Sequence, residues 1–334
     1  MKSPVSEKEM PLQASLSKQN FRKEDFDYVH LSFYCEESGE YFTTTDLDDF
    51  NENQVYNHYR AKYSIPFVEE LILFRKTYGL SASKMSKILG LGINGYRNYE
   101  QGEIPSLSNS NLIRTVMNNP CGFRSLVEEC STISSKEKSK LLNKIQSVEE
   151  QQQNGSRQTI LKFLIPDRKP TTVTGFRKPN SDKLFHMILF FSQRMAPSIT
   201  RMNKLLFYTD FNHFKQTGFS ISGSVYRALE QGPALDNFRS IYEYLETENC
   251  IEISYEEFEI GVMVPRIQPG TSLKFNGDLF DEKELLHMEL IAEKFKGFTA
   301  TQLKDFSHLE KAWVECIENR SIIDYCYALS LNLN

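Results

Sequence analysis

Histidine and cysteine are the side chains that most often bind metals or act as nucleophiles, and this chain has six of each. No Cys-x-x-Cys, His-Glu-x-x-His or Gly-x-Ser-x-Gly sequence joins them into a known kind of site. We therefore predict that the protein is not an enzyme and holds neither a metal nor a cofactor. A set of Asp, Glu and His side chains that assembles only in three dimensions is the alternative. The residues are His30, His58, His186, His213, His287, His308, Cys35, Cys121, Cys130, Cys250, Cys316 and Cys326.

The composition bounds the size and the compartment. A chain of 334 residues with 40% hydrophobic residues is long enough for two or three domains with cores of their own. Cysteines scattered singly predict a reducing compartment. The first residues, Met-Lys-Ser-Pro-Val-Ser-Glu, lack the apolar segment of a signal peptide, and no stretch of about 18 apolar residues occurs. We predict a cytoplasmic protein without a membrane partner.

A knuckle-like turn is predicted near residue 35. The β-prone stretch Tyr28-Val-His-Leu-Ser-Phe-Tyr precedes Cys35-Glu-Glu-Ser-Gly-Glu-Tyr-Phe, which predicts a strand, a tight turn and a second strand. Zinc ribbons build such knuckles from Cys-x-x-Cys-Gly, because two thiolates at that spacing bind one metal ion and the glycine permits the turn. Ser38 stands in place of the second thiolate, so we interpret Cys35 as a small buried side chain.

Residues 66–130 have the spacing of a compact helical domain. Pro66 begins a helix that ends at Gly79, and residues 81–90 and 94–100 form two short helices around a glycine turn. Flanked by longer apolar helices, this pair predicts a helix-turn-helix. The stretch Leu-Ser-Ala-Ser-Lys-Met-Ser-Lys-Ile-Leu-Gly-Leu and the ending Tyr-Glu-Gln-Gly resemble the repressor class of phage Cro and cI proteins. Together with the knuckle, residues 28–130 resemble antitoxins of the MqsA type, which join a zinc ribbon to a helix-turn-helix.

The resemblance implies DNA binding by the second short helix, whose amide and guanidinium groups would enter the major groove. An Asn and an Arg read bases in those antitoxins; Asn94 matches the first, and Asn98 fills the second position. A homodimer is expected, because paired half-sites raise affinity. The net charge of only +1 over residues 66–130 leaves open a scaffold for dimerisation or toxin docking. The predicted DNA-binding residues are Asn94, Tyr96, Arg97 and Asn98 for bases, and Ser81, Ser83 and Lys84 for phosphates.

Residues 200–218 predict a long amphipathic helix in the C-terminal half. Met202, Leu205 and Leu206 recur at helical spacing, Thr200 can cap the start, and Gly218 can take the left-handed turn at the end. A β-prone segment over residues 219–229 follows, and the turn Glu-Gln-Gly-Pro leads into another helix over residues 235–246. An apolar helix over residues 183–194 precedes, a hairpin over residues 250–265 follows, and three helices close the chain.

Three separated motifs in this half resemble the Panacea antitoxin domain, the SocA-like group. They are Asn203-Lys-Leu-Leu-Phe-Tyr, then Ala228-Leu-Glu-Gln-Gly-Pro, and finally Phe298-Thr-Ala-Thr-Gln-Leu-Lys-Asp-Phe-Ser-His followed by Ala312-Trp. The resemblance covers about the last 150 residues and implies a domain that binds and neutralises a toxin, with aromatic side chains supplying contact area. From motif position, the predicted toxin-binding residues are Tyr208, Phe211, Tyr226, Gln231 and Pro233.

The predicted fold class is mainly α with small β elements: an N-terminal five-helix domain with a helix-turn-helix, and a C-terminal α+β Panacea domain. Residues 131–182 carry a net charge of +5 and residues 183–334 one of −6, so nucleic acid is expected to contact the part before the C-terminal domain. The predicted segments are a disordered tail at 1–27, a degenerate knuckle and helix at 28–65, a helix-turn-helix domain at 66–130, a basic helix and linker at 131–180, and a toxin-neutralising domain at 181–334.

These patterns predict a cytoplasmic antitoxin of a type II toxin-antitoxin system. The C-terminal domain would bind the toxin encoded in the same operon, and the helix-turn-helix would bind operator DNA. The alternative is a proteolytic adaptor, or a phage-type transcriptional regulator that uses the same domain to capture a partner protein.

Overall fold

The computed structural model describes residues 1–5, 7–153, 155–259 and 262–333. The described chain is mainly helical with small sheets, which confirms the predicted class of mainly α with small β elements. It divides into two compact units. Residues 16–30 and 51–160 form one, here named the helical unit, and residues 1–15, 31–50 and 161–334 form the other, here named the C-terminal unit.

The first half of the chain is built from eight helices in the described residues. They are α1 Thr45–Tyr63, α2 Val68–Thr77, α3 Ala82–Leu89, α4 Gly95–Glu100, α5 Leu107–Asn118, α6 Pro120–Glu129, α7 Ser135–Gln153 and α8 Gly155–Leu164. Leu71, Met85, Tyr96, Ile113 and Phe123 belong to one buried core that joins α2 to α6. Helices α2 to α6 therefore each bury the apolar face that a 3.6-residue period predicts.

Side-chain caps and glycines set the ends of the short helices. The Ser81 hydroxyl accepts a hydrogen bond from the Lys84 amide at the start of α3, and Gly90 ends that helix at a φ of +66°. Gly92 follows at a φ of +79°. Residues 90–95 have the spacing Gly-x-Gly-x-x-Gly, but they follow a helix and not a strand, which excludes the dinucleotide-binding turn of a βαβ unit.

The N-terminal residues differ from the prediction. In place of a disordered tail before residue 28, the structure has β1 Leu12–Phe21 and β2 Glu24–Tyr34, which form a sheet with β3 Tyr41–Phe42 in the order β1-β2-β3. The polar sequence of β1 hides it from periodicity, because most of the strand is exposed. The predicted knuckle is present between β2 and β3, where the Cys35 amide donates to the Glu40 carbonyl at 2.9 Å.

Residues 149–166 also differ from the prediction. Glu-Gln-rich and Gly-Ser sequences predicted a linker, and residues 160–166 were expected to be β-prone. Apart from residue 154, which lies outside the described residues, α7 and α8 occupy this part of the chain up to Leu164. Glutamine and glutamate are good helix formers, and this propensity accounts for the helix that composition alone did not predict.

The second half contains the remaining elements. They are α9 Ser181–Met195, α10 Ile199–Thr217, β4 Tyr226–Leu229, β5 Gly232–Leu235, α11 Phe238–Thr247, β6 Ile251–Glu259, β7 Val262–Pro269, α12 Glu282–Phe295, α13 Ala300–His308, α14 Lys311–Val314 and β8 Ile322–Ile323. Strands β6 and β7 pair as the predicted antiparallel hairpin. Strands β5, β4 and β8 form a second small sheet in that order.

Helix α10 is the centre of the C-terminal unit. Every residue from Arg201 to Phe214 is buried, and α9, α12, α13 and β5 all contact the helix. Gly218 ends it in the left-handed conformation, as predicted, but the cap at its start is Ser198 and not Thr200. A helix buried on all sides must place its polar side chains against specific partners, and these partners define the site described next.

Candidate functional site

Two side chains from distant parts of the sequence hold the turn between β4 and β5 in the C-terminal unit. Leu229 and Gly232 are the last paired residues of the two strands. The Lys204 ammonium, from α10, donates to the Pro233 carbonyl at 2.7 Å, and the Trp313 indole N–H, from α14, donates to the Leu229 carbonyl at 2.8 Å. Three sequence motifs that lie far apart in the chain thus meet at one turn.

Gly232 is required at this turn for two reasons. Its φ is +93°, a region that residues with a Cβ rarely adopt. A Cβ added there would lie 2.4 Å from the Ser307 Oγ and 2.7 Å from the Lys204 Cε. The strand can therefore approach α10 and α13 this closely only through glycine.

The Ser-His step at the end of α13 completes the support. The His308 ring stacks on the Trp313 indole at 3.8 Å between centroids with an interplanar angle of 5°. Burial, followed by the nearby charge of Lys204, lowers the pKa of His308, which favours the neutral ring. This stack orients the indole whose N–H binds the Leu229 carbonyl.

A pocket of about 550 Å³ opens beside this turn, in the size range of ligand pockets. We name it the Lys204 pocket. Its walls come from the first two turns of α10, the β4–β5 turn and the start of α11. The lining residues are Ile199, Thr200, Asn203, Lys204, Leu229, Glu230, Gln231, Gly232, Ala234, Phe238, Arg239 and Arg320.

Lys204 is the unusual residue of this pocket. Its side chain is 1% exposed, and no acidic group lies within salt-bridge distance of it in the described part of the chain. Burial lowers the pKa of Lys204 to about 7, because the charged ammonium loses its hydration. Sequence reasoning did not single out Lys204, since one lysine in an apolar helix is usually expected to reach solvent.

Two arginines also line the pocket. Arg239 is exposed and has no carboxylate within 4 Å among the described residues, while Arg320 pairs with Glu230. The lining therefore carries three basic groups against one acidic group, within a segment, residues 183–334, whose net charge is −6.

Four of the five predicted toxin-binding residues are buried in the structure, and one is exposed. Tyr208, Phe211 and Tyr226 have no exposed surface, so they cannot form the contact face in this conformation, and the prediction for them is wrong. Their aromatic rings pack around α10 and are needed for the core. Pro233 is also buried, and its carbonyl binds Lys204. Gln231 alone of the five is exposed, at the edge of the Lys204 pocket.

Asp210 is a second polar residue of α10 that the sequence did not single out. Its carboxylate accepts from the amides of Ile221 and Ser222 at 2.8 and 2.9 Å, and from the hydroxyls of Ser222 and Tyr226 at 2.5 and 2.8 Å. Burial raises the pKa of Asp210, whereas these donors act in the opposite direction. This network fixes the irregular segment after Gly218, where a β-prone stretch was predicted, so only residues 226–229 form strand β4.

In the helical unit, the predicted DNA-binding residues lie on the adjoining helices α3 and α4 and the turn between them. Asn94, Arg97, Asn98, Ser81, Ser83 and Lys84 are exposed. Tyr96 is the exception: it is fully buried, and its hydroxyl donates to the Leu71 carbonyl at 2.8 Å. The prediction that Tyr96 contacts bases is therefore wrong, because its side chain holds α4 against α2.

Several contacts set the position of α4. The Tyr96 amide donates to the Ser86 hydroxyl of α3 at 2.9 Å, and the Arg75 guanidinium of α2 pairs with Glu100 at 2.6 Å. On α3, Lys84 pairs with Glu137 at 2.6 Å. This pair, with the Ser134 hydroxyl, lowers the pKa of Glu137 to about 2. A phosphate at Lys84 would have to compete with that carboxylate.

No group of three or more His, Cys, Asp or Glu side chains suited to a metal ion occurs among residues with a described placement. In the knuckle, the buried Cys35 thiol lies 3.1 Å from the Ser3 hydroxyl. Within the described ranges, no helix combines the length and apolarity that crossing a membrane requires.

Residues 202–314 match the family model described as "Antitoxin SocA-like, Panacea domain". The comparison with curated proteins gives no match. The matched residues include Lys204, Gly232, His308 and Trp313, so the side chains that hold the β4–β5 turn all lie within the domain.

Proposed function

Starting from the Panacea domain at residues 202–314, we propose that this protein is the antitoxin of a type II toxin-antitoxin system. The domain would neutralise a protein toxin from the same operon by direct binding and without catalysis. The helical unit would bind the operon's own operator, as a homodimer in the cytoplasm.

The proposal is supported by the family match and by the contacts that hold the β4–β5 turn inside the matched domain. Its separated motifs meet at the β4–β5 turn, where Lys204 and Trp313 hold two carbonyls and leave Gln231 exposed. A turn held by buried, long-range hydrogen bonds can present its exposed side chains in one conformation, which reduces the entropy lost when a partner binds.

Co-expression with the neighbouring gene tests the antitoxin role. Expression of the neighbour alone should stop growth, and expression together with this protein should restore it. A truncated chain that lacks residues 202–314 is the control, and it should fail to restore growth. A harmless neighbour, or one equally toxic in the presence of the full-length protein, contradicts the proposal.

The alternative, a proteolytic adaptor, predicts a different fate for the partner. An inhibitor leaves the toxin present in a stable complex, whereas an adaptor delivers it to a protease. Pulse-chase measurement of the toxin's half-life separates the two, because only the adaptor shortens it. Growth restored with an unchanged half-life supports inhibition.

DNA binding by the helical unit is supported by the exposed positions of Asn94, Arg97 and Asn98 on and next to α4, and by the contacts that hold that helix. Side chains of these types pair with adenine and guanine edges in the major groove. Gel-shift titration of the full chain against its upstream DNA tests this role. Binding that does not distinguish the upstream sequence from unrelated DNA at physiological salt contradicts operator recognition.

A further inference from the structure

We propose that the Lys204 pocket is the site where the partner protein inserts an acidic side chain, whose carboxylate binds the Lys204 ammonium between Arg239 and Arg320. This inference rests on the proposed antitoxin function and adds to it the place and the chemistry of the contact.

The pocket carries more basic than acidic side chains. Lys204, Arg239 and Arg320 line it with only Glu230 as a counter-charge, although residues 183–334 carry a net charge of −6. Arg239 has no carboxylate within 4 Å in the described part of the chain. A local excess of positive groups in an acidic domain is complementary to a negatively charged occupant.

Lys204 is a buried cation with one described hydrogen bond. An ammonium group can donate three hydrogen bonds, and the structure shows one, to the Pro233 carbonyl. A buried ammonium without a carboxylate partner is costly, and a carboxylate in the pocket would offset that cost. Lys204 lines the pocket but is only 1% exposed, so a carboxylate can reach its ammonium only from inside the pocket and after the atoms that cover Lys204 move aside.

The pocket is large and its walls are partly apolar. A volume of about 550 Å³ is too large for a single inorganic anion and suits a short peptide segment. Ile199, Leu229 and Phe238 supply apolar surface around the basic groups. An aspartate or glutamate with apolar neighbours in its own chain fits this combination better than a nucleic acid backbone, which lacks apolar side chains.

The binding partner itself is the probe: the purified product of the neighbouring gene, titrated against the full chain by calorimetry. Lys204→Met removes the ammonium at constant length, and Arg239→Gln removes the exposed guanidinium. Each should weaken binding by about 10- to 100-fold, as expected for loss of a charge-assisted hydrogen bond. Lys283→Gln, an exposed lysine on α12 outside the pocket lining, is the control and should bind like the wild type.

A scan of the partner identifies the occupant. Each exposed Asp or Glu of the partner is changed to Asn or Gln. One of these partner variants should bind the wild-type chain more weakly than the unchanged partner does, and it should show no such loss against Lys204→Met. If Lys204→Met fails to fold by circular dichroism, Arg239→Gln carries the same test, because its side chain is exposed.

The outcomes are distinguishable. Wild-type binding that neither pocket variant weakens overturns the pocket assignment and leaves the antitoxin function standing. Absence of wild-type binding overturns both. Competition by an oligonucleotide, with no sensitive acidic residue in the partner, would show that the pocket takes phosphate and overturns the inference.

Discussion

Replacing Lys204 with methionine should change how the stability of the C-terminal unit depends on pH. Burial holds the pKa of Lys204 at about 7 in the folded chain, against an ordinary value of 10.5 that it regains on unfolding. Between these two values the unfolded chain binds more protons than the folded one. Stability of the wild type must therefore rise with pH across this window and stay flat with respect to this group below pH 7.

The magnitude follows from the two pKa values. Each pH unit between them adds up to about 1.4 kcal/mol to the free energy of unfolding. Because the slope is only half developed at pH 7, the rise expected from pH 7 to pH 9 is about 2 kcal/mol. Lys204→Met lacks the titrating group, so its free energy of unfolding should lack this rise.

Urea unfolding at pH 7, 8 and 9 measures the effect. Trp313 is the only tryptophan of the chain and lies beside the pocket, so its fluorescence reports on this unit. Lys283→Met, at an exposed lysine of the same unit, controls for loss of one positive charge and should follow the wild type. The pH range ends below the titration of tyrosine, which would otherwise add a slope of its own.

Parallel curves for the wild type and Lys204→Met would refute the reasoning. They would show that the Lys204 ammonium stays hydrated or is paired with an acid, and that burial does not depress its pKa. A wild-type stability that falls between pH 7 and 9 relative to the variant would contradict the sign as well.

Three further predictions concern other contacts. Gly232→Ala should lower the free energy of unfolding, measured in urea, by about 3 kcal/mol, because the residue has a φ of +93° and its new Cβ would lie 2.4 Å from the Ser307 hydroxyl. The control Gly297→Ala should have little effect, because no atom lies within 4 Å of the added Cβ. Asp210→Asn should lower the free energy of unfolding by about 3 kcal/mol in the same assay, because an amide cannot accept all four hydrogen bonds of the buried carboxylate. An unchanged urea midpoint would contradict this prediction. Arg97→Ala should weaken specific DNA binding by about 10- to 100-fold in gel shifts and leave the melting temperature unchanged. The control is Lys144→Ala, at an exposed lysine on α7. An equal loss of DNA affinity in that variant would contradict base reading by Arg97.

Local signals in the sequence predicted most of the helices and the hairpins. Ser81 and Gly90 bound α3, Gly218 ends α10, and the stretch around Cys35 forms a strand, a turn and a strand. Caps, left-handed glycines and hydrophobic periods act within a few residues, so they can be interpreted without knowing the fold. The strand β1 and the end of α7 were missed because their composition is polar, and the end of α8 was missed because its mostly apolar residues 160–164 are also β-prone.

The roles of individual side chains depended on tertiary structure. Motif position predicted Tyr208 and Tyr226 as contact residues, but packing on every side of α10 places both in the core. Tyr96 was expected at a base edge and holds two helices together. A period shows which face of a helix is apolar, and it does not show how many neighbours cover the other faces.

The sequence by itself determined the fold class, the family of residues 202–314 and the exposed polar residues next to the glycine turn before α4. Only the tertiary structure brought Lys204 under the Gly-Pro turn and into the same pocket lining as Arg239 and Arg320. Lys204 and Arg320 lie more than a hundred positions apart in the sequence, and no local pattern links them. Their shared chemistry comes from burial and proximity, which arise only when the chain has folded.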